Sequence, residues 1–280
     1  MTLETLSAIR SHGGTQTLYR HMSTSTKTPM EFSVFVPDHE DGAKLPVIWF
    51  LSGLTCTPAN VTEKGEFRAA CARHGFIFVA PDTSPRGDGV PDDAEAARDF
   101  GLAAGFYVNA TRAPFSEHYH MRDYIETELP DVIARELPCA DMSRQSIMGH
   151  SMGGHGALTV GLRNPDRFKA VSAFAPINST INCPWGQKAM AGYLGDDQSK
   201  WEEYDACALI KNGARLPDIL VDQGAADEYI ETELKPDLLR DACAEAGQPL
   251  TLRIHDGYNH GYYFVSTFMN DHIEWHAERL

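Results

Sequence analysis

The sequence has no apolar run approaching the roughly 18–20 residues that a membrane helix requires, so a helical span is excluded. Positive charge is in short supply. Lys and Arg number 24 against 39 acidic residues, for a net charge of −15. No basic cluster stands out, which argues against nucleic acid or an anionic membrane as a partner. The opening residues, MTLETLSAIRSHGGTQ, lack a basic stretch followed by an apolar one, so no export signal is expected and the expected compartment is the cytoplasm. Cysteine occurs six times, at 56, 71, 139, 183, 207 and 243, but never as CxxC or with metal-type spacing. In a reducing compartment these read as free thiols, and no metal site is expected. Internal repeats and low-complexity segments are also missing.

What is present is a chain of 280 residues, 42% hydrophobic. That suits one large α/β domain or two small ones, and one domain over residues 1–280 is expected. Residues 31–37 alternate like a strand. Residues 45–53 form a continuous apolar run, 76–82 read as another buried strand, and 144–150, 168–176, 216–224 and 250–257 also read as strands. Helical patterns fill 61–74, 119–137 (with a bend near Pro130), 152–164, 234–247 and 261–280. Strand and helix alternate, which predicts a mostly parallel sheet covered on both faces, with its site at the carboxyl ends of the strands. Residues 83–115 are polar and glycine-rich, too long for a simple connection, and read as a functional excursion over the sheet's edge.

Gly149-His150-Ser151-Met152-Gly153 fits G-x-S-x-G between a strand and a helix. Small residues there permit a sharp turn that exposes the serine oxygen as a nucleophile. A hydroxyl needs a general base at neutral pH. His260, in the loop after the last strand, is the candidate. His255 falls inside that strand, and His150 and His155 flank the serine without a route to its oxygen. An acid should follow strand 216–224. Asp227, in the next turn, is preferred, with Asp222 as the alternative. It would fix the tautomer of His260 and stabilise the imidazolium. The expected oxyanion donors are the backbone N–H groups of Met152, at a helix N-terminus, and of Leu54, where Gly53 permits close approach.

Taken together, LSGLTCTPANVTEKGEF, APDTSPRG, GAGFYVNAT, GHSMGGHGAL, DQGAADEY and GYNHGYYF resemble S-formylglutathione hydrolase, also called esterase D, over nearly the whole chain. The resemblance implies the α/β-hydrolase fold, no metal or organic cofactor, a plausible homodimer, and hydrolysis of S-formylglutathione to glutathione and formate. Carried over by motif, the nucleophile is Ser151, the acid Asp227, the base His260, and the oxyanion donors Leu54 and Met152. Cys56 matches a cysteine near the family's active site, whose modification would block the site. In the 83–115 stretch, Arg98 and Leu102 stand where many relatives carry bulkier aromatic or small glycine-type residues, which leaves the pocket rim open.

The glutathione half carries two carboxylates and one ammonium, so Lys64 and Arg86 are candidate contacts on this acidic protein. Phe106 and Trp185 are candidate walls of a tight acyl pocket. The main alternative is a general small-acyl carboxylesterase with secondary thioesterase activity. An acyltransferase of the mycolyl-transferase type and a silent binding protein on the same fold are more distant rivals.

Overall fold

The computed structural model describes residues 3–280. Nine strands form one sheet in the order β1-β2-β3-β5-β4-β6-β7-β8-β9. These are β1 (Glu4–Ser11), β2 (Gly14–Met22), β3 (Pro29–Pro37), β4 (Leu45–Leu51), β5 (Ile77–Pro81), β6 (Ala140–His150), β7 (Phe168–Phe174), β8 (Ile219–Gly224) and β9 (Leu250–His255). The first three strands and β5 pair antiparallel, and all pairings from β5 through β4 to β9 are parallel. The parallel strands β4 and β5 are buried at every position, which is why they read as continuous apolar runs.

Helices cover both faces: α1 (Pro58–Lys64), α2 (Arg68–His74), α3 (Met121–Asp123), α4 (Leu129–Glu136), α5 (Met152–Arg163), α6 (Pro184–Leu194), α7 (Ala206–Lys211), α8 (Pro236–Ala246) and α9 (Tyr262–Ala277). Three features depart from the sequence reading. The β1–β2 hairpin precedes the first expected strand. The helix expected over 61–74 is two helices, broken at Gly65 and Glu66, where Glu66 takes φ +55°. And α6 and α7 fill stretches where no helix was expected.

The bend near Pro130 has a clear cause. Proline has no N–H to give the carbonyl four residues back. The helix widens into a π-turn over Tyr124–Glu128, and the freed Glu126 carbonyl accepts from Arg167 Nη1 instead.

The register brings β6, β7 and β8 to a common end. His150 pairs with Phe174, and Phe174 with Asp222. The 83–115 stretch folds back onto that end. Ala103 O accepts from Thr55 N at 3.0 Å, and Tyr107 Oη donates to Ser52 O at 2.7 Å. It therefore braces the loop after β4.

Candidate active site

Ser151 sits between β6 and α5 with φ +58° and ψ −121°, a conformation an L-residue adopts only under constraint. Its amide donates to Phe174 O at 2.9 Å, which pins the turn to the sheet. A Cβ at Gly153 would collide with the Leu51 carbonyl, so only glycine lets α5 start this close to β4. A Cβ at Gly53 would lie 3.0 Å from Ser151 Cβ and 3.2 Å from His150 O, so glycine there lets the β4 loop reach the serine.

His260 Nε2 lies 2.8 Å from Ser151 Oγ, and His260 Nδ1 lies 2.6 Å from Asp227 Oδ2. A carboxylate facing Nδ1 holds the proton there, leaving the Nε2 lone pair to accept from the serine. Asp227 is itself held: Oδ1 accepts from Tyr229 N at 2.9 Å and Oδ2 from Gln223 Nε2 at 3.1 Å. His150 turns away from the serine, its Nε2 donating to the His260 carbonyl at 3.0 Å. Burial and the neighbouring His260 depress its basicity well below the usual range, so it is a neutral donor that steadies the His260 loop. His155 is also neutral. Burial lowers its pKa to about 4, and it donates to Phe106 O at 3.0 Å.

The two expected oxyanion donors differ in setting. Met152 is the first residue of α5, so its N–H has no helical partner, and the helix dipole favours negative charge there. In the β4 loop, Thr55 N is bound to Ala103 O and Cys56 N to Gly53 O, while Leu54 lines the cavity. This arrangement can deprotonate a serine, stabilise an oxyanion and hand a proton to a leaving group.

The remaining sequence candidates separate. Asp222 is fully buried and receives both Arg253 Nε and Nη2, at 2.5 and 2.6 Å. Burial opposes its ionisation, but hydrogen bonds from His272 and Arg253, with the Arg253 charge, outweigh that and hold its carboxyl well below the usual range. His255 faces Asp222 at 3.3 Å rather than Ser151. Arg86 does not reach the cavity. It forks onto Asp82 at 2.7 and 2.9 Å and donates to the Cys56 carbonyl at 3.1 Å, clamping the β4 loop from behind. Lys64 is exposed at the end of α1 and outside the cavity lining. Phe106 is wholly buried beneath the site, not a wall of it. Trp185 does line the cavity, its ring 4.8 Å from that of Tyr229. Cys56 lines it too. Burial pushes its thiol up to about 11, so it stands neutral beside the serine.

The cavity encloses about 140 Å³. A roomier groove of about 340 Å³ between the β1–β2 hairpin and α1 holds no such nucleophile and base. Sequence reasoning passed over Tyr229 and named Arg98 only as a departure at the rim; both line the cavity. The rim departure at Arg98 was the available signal. Among the described residues, no group of three His, Cys, Asp or Glu side chains is arranged to hold a metal ion, and no helix is long and apolar enough to cross a membrane.

Residues 23–275 match the family described as "Putative esterase". The chain is 47% identical to an S-formylglutathione hydrolase of Paracoccus denitrificans, with both chains covered in full. It is 46% identical to that of Mus musculus, over 100% of this chain and 99% of the relative. Among solved structures, an S-formylglutathione hydrolase from Agrobacterium tumefaciens superposes with a TM-score of 0.96 at 51% identity, over 99% of each chain. A ferulic acid esterase at 18% identity and TM-score 0.73 shares the fold alone. With a serine on a strained strand–helix turn, a histidine and carboxylate in line behind it, and such relatives over its full length, the chain belongs to the S-formylglutathione hydrolase family of α/β-hydrolases.

Proposed function

We propose that this chain hydrolyses S-formylglutathione to glutathione and formate, with Ser151 as nucleophile, His260 as base and Asp227 as its orienting acid. The continuous hydrogen-bonded line from Asp227 through His260 to Ser151 carries the reading. His260 Nε2 takes the serine proton as Oγ attacks the formyl carbon. The Leu54 and Met152 amides hold the oxyanion, each donor contributing about 3 kcal/mol in the transition state. The C–S bond breaks, and the departing thiolate takes the proton from His260, leaving a formyl-serine. Water, deprotonated by the same imidazole, then releases formate and restores Ser151. The small cavity supports a small acyl group, with Trp185 as one wall. Residues 1–280 would act as one catalytic domain.

The test is kcat/KM for S-formylglutathione beside p-nitrophenyl acetate, for wild type and Ser151→Ala. The expected result is a thioester preference of several orders of magnitude, and a loss of at least about 10⁴-fold on both substrates in the variant. Comparable values for the two substrates would mark a general small-acyl carboxylesterase. An active Ser151→Ala would overturn the assignment of the nucleophile.

A further inference from the structure

The cavity at Ser151 carries a single permanent charge on its lining, Arg98. Its Nη2 donates to Tyr229 Oη at 3.1 Å, and its guanidinium carbon lies 5.9 Å from the Tyr229 ring centroid. That ring in turn stands edge-on to His260, centroids 5.2 Å apart. One tyrosine ring therefore separates the guanidinium from the base.

Arg98 is otherwise unclaimed. The neighbouring carboxylates of Asp93 and Asp99 are bound by Lys188 at 2.9 and 2.8 Å. Among the described residues, no carboxylate lies within 4.0 Å of Arg98, and Tyr229 Oη is its one side-chain hydrogen-bond partner. On a protein of net charge −15, a cation left without a counter-ion at the mouth of the site has its remaining donors free for an anion. Lys64 and Arg86, the cations the sequence suggested, are outside the cavity, and Arg86 is already neutralised by Asp82.

We propose that Arg98 is a specificity-determining residue that receives the glycyl carboxylate of the glutathionyl group, with the Tyr229 ring as the platform that aims it. This rests on the S-formylglutathione reading above. Of the two carboxylates on glutathione, the glycyl one is nearer the sulfur along the covalent chain. A planar guanidinium can fork onto both carboxylate oxygens, which an ammonium cannot. The contact reads the thiol half of the substrate and leaves the acyl half to the cavity beside Ser151.

The experiment compares S-formylglutathione with its glycinamide analogue, in which that carboxylate is an uncharged amide, on wild type, Arg98→Gln and Arg98→Lys. Wild type is expected to show a KM about tenfold lower for the acid than for the amide. Arg98→Gln should raise KM for the acid about tenfold, hold kcat within about twofold, and erase the difference between the two substrates. Arg98→Lys should recover part of it. In wild type, KM for the acid should also rise with salt, and in Arg98→Gln it should not. An equal KM penalty on both substrates in Arg98→Gln would show that Arg98 merely steadies Tyr229, and would overturn the proposal. Equal wild-type KM for acid and amide would overturn it while leaving the hydrolase reading intact. A wild-type protein inactive on both substrates would overturn that reading and this proposal together.

Discussion

Asp227 is 3% exposed, and its two carboxylate oxygens are occupied by His260, Gln223 and the Tyr229 amide. An amide in its place keeps the shape and loses the preference for a proton on His260 Nδ1. Asp227→Asn should therefore lower kcat by about 10⁴-fold through the wrong tautomer, with an unchanged circular dichroism spectrum and Tm within a few degrees. A fall of only a few-fold would mean that the His260 tautomer is set elsewhere, for instance by the loop that His150 steadies. Residue-scale reading of the sequence found groups whose meeting depends on topology alone. Ser151, Asp227 and His260 each follow a strand in the parallel part of one sheet, so their convergence was legible. Arg86, Lys64 and Phe106 were not, because the direction of a side chain in a loop or at a helix end is decided by partners distant in sequence. Arg86 is near the site but turned onto Asp82, and Phe106 is drawn under the loop by packing.

Among the elements, the π-turn before α4 draws on a distant side chain. The Glu126 carbonyl, left without a helical donor by Pro130, is served by Arg167 from the segment before β7. Arg167→Met should leave that carbonyl short of a partner and cost about 1–2 kcal/mol, seen as a Tm lower by about 2–4 °C for a chain of this size. An unchanged Tm would mean that water serves the carbonyl equally well. The bend was readable from proline chemistry, but its form was not, since a π-turn and a restarted helix have the same sequence pattern. The central strands were readable because burial on both faces leaves an apolar run. Strand β1 was not, because its burial pattern is exposed at six positions and half-exposed at two, and its three apolar residues, Leu6, Ala8 and Ile9, do not alternate. Helix α6 was missed for a related reason. Its Gly186 and Gly192, needed against the Thr180 backbone and the Phe100 ring, dilute the helical signal.

Across the whole molecule, buried imidazoles set the response to acid. His150, His155 and His276 are fully buried and held neutral, and burial also lowers His21 and His272. In the unfolded chain each protonates below about pH 6.5. The unfolded state then binds more protons than the native one, so stability falls as pH falls below that value. At pH 5.5, each imidazole that stays neutral in the fold costs up to about 1.4 kcal/mol. Asp222 works in a lower window. Its depressed carboxyl contributes stability above about pH 3.9, lost only as pH falls further. Tm should therefore drop between pH 7.5 and 5.5, most steeply below about pH 6.5. A flat Tm over that interval would contradict the neutral burial of these side chains. Two of them join α9 to the sheet: Ser172 Oγ lies 2.8 Å from His276 Nε2 and 2.9 Å from His272 Nδ1, and His272 Nε2 faces Asp222 at 3.3 Å.

The base of the proposed triad follows the ninth and last strand, while its nucleophile follows the sixth. A chain emerging from the ribosome thus presents its serine elbow well before β8, β9 and His260 exist. During that interval the reactive turn has no partner to deprotonate it, so a half-made chain is chemically silent. On that triad, esterase activity becomes a timer for synthesis: it can switch on only after every strand of the sheet has been made, with α9 alone still to follow.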